Sequence, residues 1–164
     1  MTDKLRAFTS SYNSISNRLV NNSTIRNEEK EITAKTLWDT GATISCISHS
    51  VVQDLQLAAT GKREISTPSG GKEVNTYLVN VVLLNGVDIG DLEVCETEIG
   101  NQGIDFLVGM DIINQGDLSV SNFDGRTVFT FSIPSMQTFD FAKQIKIHNL
   151  IGPTHGRGKR KRKK

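Results

Sequence analysis

The sequence predicts a mostly β fold, either a closed barrel or a sandwich, with two or three short helices. Runs of β-branched and apolar residues recur along the chain, and several of them alternate with polar residues as strands do. Turn signals separate the runs, with Asn85-Gly86 and Asp124-Gly125 the clearest. With 164 residues and no internal repeat, the chain fits one domain with short appendages.

The charge of the chain is unevenly distributed. The net charge is +1, but residues 157–164, RGKRKRKK, contain seven of the 19 basic residues and no acid. The remainder has 12 basic against 18 acidic residues, so the body of the protein is not expected to bind nucleic acid electrostatically.

Composition also predicts the compartment. Hydrophobic residues make up 37% and charged residues 23%, which is typical of a globular domain. No apolar run approaches the roughly 18 residues of a membrane helix, and the start of the chain has no secretory signal. Two cysteines, Cys46 and Cys95, do not make a disulfide framework. We therefore expect a cytoplasmic protein with reduced thiols and no membrane partner.

The first third of the chain predicts a loose start followed by strands. Residues 1–14 are polar and mixed, and residues 16–25 could hold a first strand. Residues 32–38 alternate as a strand does and end at a turn, Asp39–Gly41. A second β-branched strand is predicted over 42–48.

A short helix and hairpins are predicted next. Ser50 and Gln53 have the spacing of a capping box, which predicts a helix over 50–57. Residues 62–98 predict β-hairpins, with one turn at 68–71 and another at Asn85-Gly86.

The last elements are a strand, helical turns and a hairpin. Residues 104–109 predict a buried strand that ends in glycine, and 110–116 predict one or two helical turns closed by Gly116. Asp124-Gly125 predicts a hairpin turn between two further strands, and a helix is predicted from Ser135. The chain is therefore divided into a flexible N-terminal segment 1–15, a β domain 16–134, a helical extension 135–152 and a basic disordered tail 153–164.

The sharpest feature of the sequence is Asp39-Thr40-Gly41-Ala42. Asp39 stands at the end of an apolar strand, on a tight turn that uses glycine, and a β-branched segment follows. The three letters D-T-G alone are a weak signal, but their position between two predicted strands makes the combination much rarer. An acid placed in this way is a candidate for chemistry.

With these residues the sequence resembles the retropepsin-like aspartic proteases, in particular the single-domain, non-viral members. The resemblance covers about residues 16–133 and includes a later apolar–apolar–Gly strand followed by a short helix. Viral members often carry arginine after that glycine, where this chain has Met110. The matching residues are the active-site loop Asp39, Thr40, Gly41 and Ala42, the flap and substrate-binding tip Pro68, Ser69, Gly70 and Gly71, and the structural support Leu107, Val108 and Gly109.

The resemblance implies a retropepsin-like acid-protease barrel that works as a dimer. Peptide hydrolysis of this type needs two carboxylates that share one proton. The chain has one D-T-G, and Asp124-Gly125 lacks the middle hydroxyl. The second carboxylate is therefore expected from Asp39 of a second copy, at a two-fold axis.

The resemblance also implies roles for the neighbouring residues. Thr40 would hydrogen-bond across the axis, Gly41 would let the backbone approach the substrate, and Ala42 would line the cleft. The expected substrate is an extended peptide or protein segment under two flaps, with apolar residues near the scissile bond. No cofactor and no metal are expected.

Other interpretations remain open at this level. The D-T-G could be a structural turn, or the fold could be a non-enzymatic dimeric peptide-binding module. Residues 157–164 could be a solubilising end or make a weak polyanion contact, as in a nucleic-acid-associated protein. Asp111 is interpreted as a helix-start residue, and Cys46 as core. The cysteines and histidines lack metal-ligand spacing: Cys46, Cys95, His49, His148 and His155.

Overall fold

Ten strands, three short helices and two 3₁₀ turns form the part of the chain that the computed structural model describes, residues 4–28, 30–67 and 70–151. The strands are β1 Arg6–Ser11, β2 Leu19–Asn27, β3 Lys30–Trp38, β4 Cys46–Ser48, β5 Gly61–Thr67, β6 Gly70–Val82, β7 Asp88–Thr97, β8 Phe106–Val108, β9 Asp117–Ser121 and β10 Val128–Ile133. The helices are α1 His49–Asp54, α2 Met110–Ile113 and α3 Phe141–Ile151, and the 3₁₀ turns are Glu98–Gln102 and Phe123–Gly125.

Six of the strands close into a barrel. Their order is β2-β3-β8-β4-β7-β6, and β2 pairs back onto β6 through Thr24–Arg26. Strand β5 pairs with the N-terminal half of β6, on the same edge as β2 and opposite β7, and extends beyond the barrel as a hairpin arm. The predicted mostly β fold is confirmed, and the closure decides for a barrel and against a sandwich.

Two parallel pairings bring distant parts of the chain together inside this barrel. Strand β3 runs parallel to β8, with Trp38 opposite Val108, and β4 runs parallel to β7, with Cys46 opposite Cys95. Parallel neighbours end at the same edge of a sheet. The turn after β3 therefore lies beside the turn after β8, although about 70 residues separate them in the sequence.

A second sheet of three antiparallel strands, in the order β1-β10-β9, packs against the end of β3. Phe8 of β1, Phe129 and Phe131 of β10 and Trp38 of β3 form one buried aromatic cluster. The ring centroids of Trp38 and Phe131 are 4.9 Å apart. Because Trp38 directly precedes Asp39, this cluster fixes the strand end from which the candidate catalytic turn leaves.

Four details differ from the sequence predictions. Residues 6–11 are not loose but form β1, because Phe8 inserts into the aromatic cluster and the strand pairs along its length with β10. The strand predicted over 42–48 is regular only at Cys46–Ser48, since the preceding residues bend against the β8 end.

The other two differences concern the cap of a helix and the length of a loop. Helix α1 is capped by Ser48, whose Oγ accepts from the Val51 N–H, and not by Ser50 as the capping-box spacing predicted. The β9–β10 connection contains the predicted Asp124-Gly125, but the loop is longer than two residues and includes a 3₁₀ turn. The hairpins predicted over 62–98 are present as β5, β6 and β7.

Helix α3 lies within the segment predicted to be helical, and none of its residues is buried. Among the described residues, no helix has both the length and the apolar character that crossing a bilayer requires. The predicted basic tail, 153–164, lies outside the described residues.

Candidate active site

The turn that carries Asp39 is anchored on the end of strand β8. The Asp39 N–H donates to the Val108 carbonyl at 3.0 Å, which continues the β3–β8 pairing by one residue. Within the turn, the Gly41 N–H donates to Asp39 Oδ1 at 2.8 Å and the Ala42 N–H donates to the Asp39 carbonyl at 3.2 Å. The Asp39 carboxylate is half-buried and oriented by a backbone donor, while Thr40 is exposed.

Gly109 lets the two turns approach each other. A Cβ on Gly109 would lie 2.6 Å from the carbonyl carbon of Ile44 and 2.7 Å from its oxygen, closer than real Cβ contacts. Beside it, the Met110 N–H donates to the Ala42 carbonyl at 2.8 Å. The structure therefore places Val108 and Gly109 directly against the loop 39–45.

A hydrogen-bond network that the sequence analysis missed joins the same two segments. The Asp111 carboxylate accepts from the Ser45 hydroxyl at 2.7 Å and from the Ser45 N–H at 2.8 Å. Ser45 Oγ in turn accepts from the Gly109 N–H at 3.0 Å. The sequence does show a hydroxyl residue, Ser45, in one apolar segment and an acid, Asp111, just after a second apolar strand. Nothing in the sequence indicates that the two side chains meet.

The hairpin of β5 and β6 occupies the position predicted for a flap. Its two strands pair antiparallel from Gly61 opposite Thr76 to Thr67 opposite Gly70. Gly70 has a φ of +114°, a conformation that favours glycine, and both Gly70 and Gly71 are exposed. The predicted tip residues Pro68 and Ser69 lie outside the described residues.

A cleft of about 730 Å³ lies between this hairpin and the barrel. Its apolar walls come from both sides, with Ile65 and Val74 on the hairpin and Cys46, Ile99 and Leu107 on the barrel. Gly70 and Gly71 line it as well, whereas the described lining does not include residues 39–42. Within one chain, the cleft and the Asp39 turn are neighbours, because Ala42 packs against the apolar cluster that includes the cleft residues Ile99 and Leu107.

The thiol in this cleft is an apolar wall group. Burial, with the neighbouring Cys95 thiol as the next contribution, raises the pKa of Cys46 to about 11. At neutral pH Cys46 is therefore protonated, in line with its prediction as a core residue and unlike a catalytic nucleophile.

A polar cluster lies outside the hairpin, around a second cavity of about 380 Å³. Glu96 of β7 contacts His49 Nδ1 at 2.5 Å and accepts from the Tyr77 hydroxyl at 2.8 Å. Burial alone would raise the pKa of Glu96, but hydrogen bonds from His49, Tyr77 and Asn75 outweigh it and lower the pKa. The hydrogen bonds of this cluster connect α1 to β6 and β7.

A family of known proteases matches the part of the chain that contains the Asp39 turn and the β8 end. Residues 23–115, more than half of the chain, match the family described as "gag-polyprotein putative aspartyl protease". The chain belongs to this family of retropepsin-like aspartic proteases, as the resemblance predicted. A search of curated protein sequences gives no match.

Solved structures similar to this chain include one bacterial and two viral proteases. A retropepsin-like aspartic protease from Rickettsia conorii aligns with a TM-score of 0.50 at 14% identity, over 80% of this chain and 98% of that one. The EIAV protease in complex with an inhibitor gives 0.48 at 21% identity, over 63% and 90%. The simian foamy virus (mac) protease gives 0.42 at 20% identity, over 58% and 92%.

Proposed function

We propose that this chain is an aspartic endopeptidase that works as a homodimer, with one Asp39 from each copy at the two-fold axis. The observation that supports it is the Asp39 turn itself. The carboxylate is half-buried, oriented by the Gly41 N–H at 2.8 Å and anchored on β8. One chain contains a single such motif, so a two-carboxylate site needs two chains.

The proposed reaction uses a water molecule held between the two Asp39 carboxyl groups. One group is ionised and takes a proton from the water, while the other is protonated and hydrogen-bonds the carbonyl oxygen of the peptide. The water oxygen adds to the carbonyl carbon to give a tetrahedral diol. Transfer of a proton to the amide nitrogen then allows the C–N bond to break, which releases an acid and an amine and restores the shared proton.

The residues around Asp39 have matching roles in this proposal. The Gly41 N–H fixes one carboxylate oxygen and leaves the carboxylate plane defined, and exposed Thr40 is free to bond across the axis to its counterpart. Ala42 is small and half-buried, so it can line the floor on which the substrate lies. In this proposal these groups orient the Asp39 carboxyl groups relative to the water molecule and the peptide, and such orientation lowers the barrier of the reaction.

The substrate is proposed to be an extended peptide. The β5–β6 hairpin can pair with an extended backbone, as a strand adds to a sheet edge. The walls of the cleft, Ile65, Val74, Ile99 and Leu107, suit an apolar side chain next to the scissile bond.

The proposal is tested by cleavage of a denatured protein mixture. Wild type is expected to cleave, and Asp39→Asn, which keeps the size but cannot accept the proton, is expected to lose activity. Asp91→Asn is a matched control, because Asp91 is exposed and its φ of 50° is one that asparagine adopts readily. A wild type that binds peptides tightly without cleaving them would instead support the alternative, a dimeric peptide-binding module.

The shared site is tested by mixing wild type with Asp39→Asn under free subunit exchange. If heterodimers are nearly inactive, activity follows the square of the wild-type fraction, so an equal mixture keeps about a quarter of the activity. A complete site in each chain would keep about half. A straight line across mixing ratios, with exchange confirmed by mass spectrometry, would refute the shared Asp39 site.

A further inference from the structure

We infer that Asp111 and Ser45 are positioning residues, which hold the C-terminal limb of the Asp39 turn in register for the reaction. This inference rests on the proposed function for its kinetic meaning. It goes beyond the interpretation of Asp111 as a helix-start residue, because the contacts of its side chain reach well outside its own helix.

The Asp111 carboxylate accepts three hydrogen bonds. Oδ2 accepts from the Ser45 N–H at 2.8 Å, and Oδ1 accepts from the Ser45 hydroxyl at 2.7 Å and from the Ile112 N–H at 3.0 Å. Hydrogen bonds to an ionised carboxylate are about twice as strong as neutral ones. Two of the three donors belong to one residue of the Asp39 loop segment, 66 positions away in the sequence.

Ser45 passes the constraint on to the end of β8. Its side chain is fully buried, and its Oγ both donates to Asp111 and accepts from the Gly109 N–H at 3.0 Å. The Ser45 hydroxyl therefore donates its proton to the start of α2 and accepts a hydrogen bond from the residue that follows β8. Removing the hydroxyl would leave the buried Gly109 N–H without this acceptor, which is costly inside a protein.

The Asp111 carboxylate is oriented by these three donors. Among residues 4–28, 30–67 and 70–151, no lysine, arginine or histidine forms an ion pair with Asp111. The direction of the carboxylate is consequently set by Ser45 and by the first turn of α2.

The Asp39 turn thus has two anchors on one corner of the barrel. Its N-terminal limb is fixed by the Asp39 N–H on the Val108 carbonyl, and its C-terminal limb by Ser45 on Asp111. Loss of the second anchor would let the turn shift while the barrel pairings stay intact. Because a displacement near 1 Å can cost about 10²-fold in rate, turnover should respond more strongly than folding.

The test compares three single variants for kcat, KM and melting temperature. Asp111→Asn keeps the shape but places an NH₂ group against one of the three donors, and Ser45→Ala removes the hydroxyl. The matched control is Asp117→Asn, because Asp117 also accepts several bonds, from Ser135, Met136 and Gln137, away from the Asp39 turn.

For Asp111→Asn we expect kcat to fall about 10- to 100-fold, with KM changed less than about 3-fold. Ser45→Ala should lower kcat in the same way, and the double variant should be no worse than about 3-fold below Asp111→Asn, because both remove one anchor. Asp117→Asn should keep kcat within about 2-fold of wild type. Equal kcat for Asp111→Asn and Asp117→Asn would overturn the inference, as would a loss confined to KM.

A measurement independent of activity separates this inference from the proposed function. Amide hydrogen exchange at Gly41 and Ala42 should accelerate in Asp111→Asn and Ser45→Ala but not in Asp117→Asn. If wild type shows no peptidase activity, the proposed function fails, and the exchange data alone decide the positioning role. If Asp111→Asn does not fold, Ser45→Ala carries both measurements, and unchanged exchange in it refutes the inference.

Discussion

Replacing Gly109 with alanine is the most direct physical test of the corner that carries Asp39. The new Cβ would lie 2.6 Å from the Ile44 carbonyl carbon, 2.7 Å from its oxygen and 3.0 Å from its nitrogen. Ordinary contact begins near 3.4 Å, so the Ile44 backbone must retreat by about 0.8 Å. These are backbone atoms between Ala42 and Ser45, and they cannot rotate away as a side chain would.

The displacement has two measurable costs. Overpacking of this kind typically destabilises by about 1–3 kcal/mol. For a chain of this size that corresponds to a fall of about 2–12 °C in melting temperature. Since the retreat moves the loop that carries Asp39, turnover on a peptide substrate should fall by about 10²-fold.

The assay pairs thermal unfolding with peptidase turnover, and Gly90→Ala is the control. A Cβ on Gly90 would meet only Asn80 Oδ1, at 3.6 Å, which is ordinary contact. Gly90→Ala should therefore unfold and turn over as wild type does. A Gly109→Ala protein that keeps both the wild-type melting temperature and the wild-type kcat would refute the close approach of the two turns.

Three further predictions concern the hairpin, the polar cluster and the basic end. Gly70→Val should lower turnover, because a Cβ there has open space but the φ of +114° is one that valine does not favour, so the end of the hairpin must change its backbone conformation. Hydrogen exchange over 66–74 should slow when an inhibitor binds. Glu96→Gln should lower the melting temperature by a few degrees near pH 7. Because the pKa of Glu96 lies below its ordinary value of 4.5, this difference should be full above that value and vanish as the pH falls through the lowered one. Deleting 157–164 should abolish binding to heparin, whose log affinity falls linearly with log salt, and leave turnover unchanged.

Each of these has an outcome that would count against it. Unchanged exchange over 66–74 with inhibitor demonstrably bound would contradict the flap assignment. A Glu96→Gln deficit that persists at a pH where NMR shows Glu96 to be protonated would mean that packing, and not the charge, stabilises the cluster. A truncated chain that no longer cleaves would show that residues 157–164 take part in the reaction.

The parts of the fold that were predictable have local causes. Gly86, at a φ of +72°, supplies the left-handed residue of the β6–β7 connection, so this hairpin could be predicted from the sequence, although the connection is longer than the two residues that Asn85-Gly86 indicated. The Asp39 motif was predictable for the same reason, since acid, hydroxyl, glycine and small residue stand next to one another. The turn after β3 needs no distant partner to be recognised.

Strand β1 could not be predicted from its own sequence. Residues 6–11 contain one buried residue, Phe8, in a run that is otherwise polar except for the exposed Ala7, so neither alternation nor hydrophobicity indicated a strand. Its order comes from β10, where Phe8 lies opposite Phe131 about 120 residues later, and from the contact with Trp38. A strand whose stability comes from a distant partner leaves almost no periodicity in its own sequence.

Asp111 shows a different failure, because a local explanation was available and was incomplete. An acid at the start of a short helix is sufficiently explained by its favourable position near the N–H groups of the first turn. The antiparallel pairing of β4 with β8, with Cys46 opposite Leu107, is what brings Ser45 within 2.8 Å of it. Asp39 and the Gly41 N–H that orients it are almost adjacent in the chain, whereas Asp111 contacts the same loop from a distant segment. A local motif therefore identifies the candidate catalytic acid more readily than it identifies contacts to that acid's loop from distant segments.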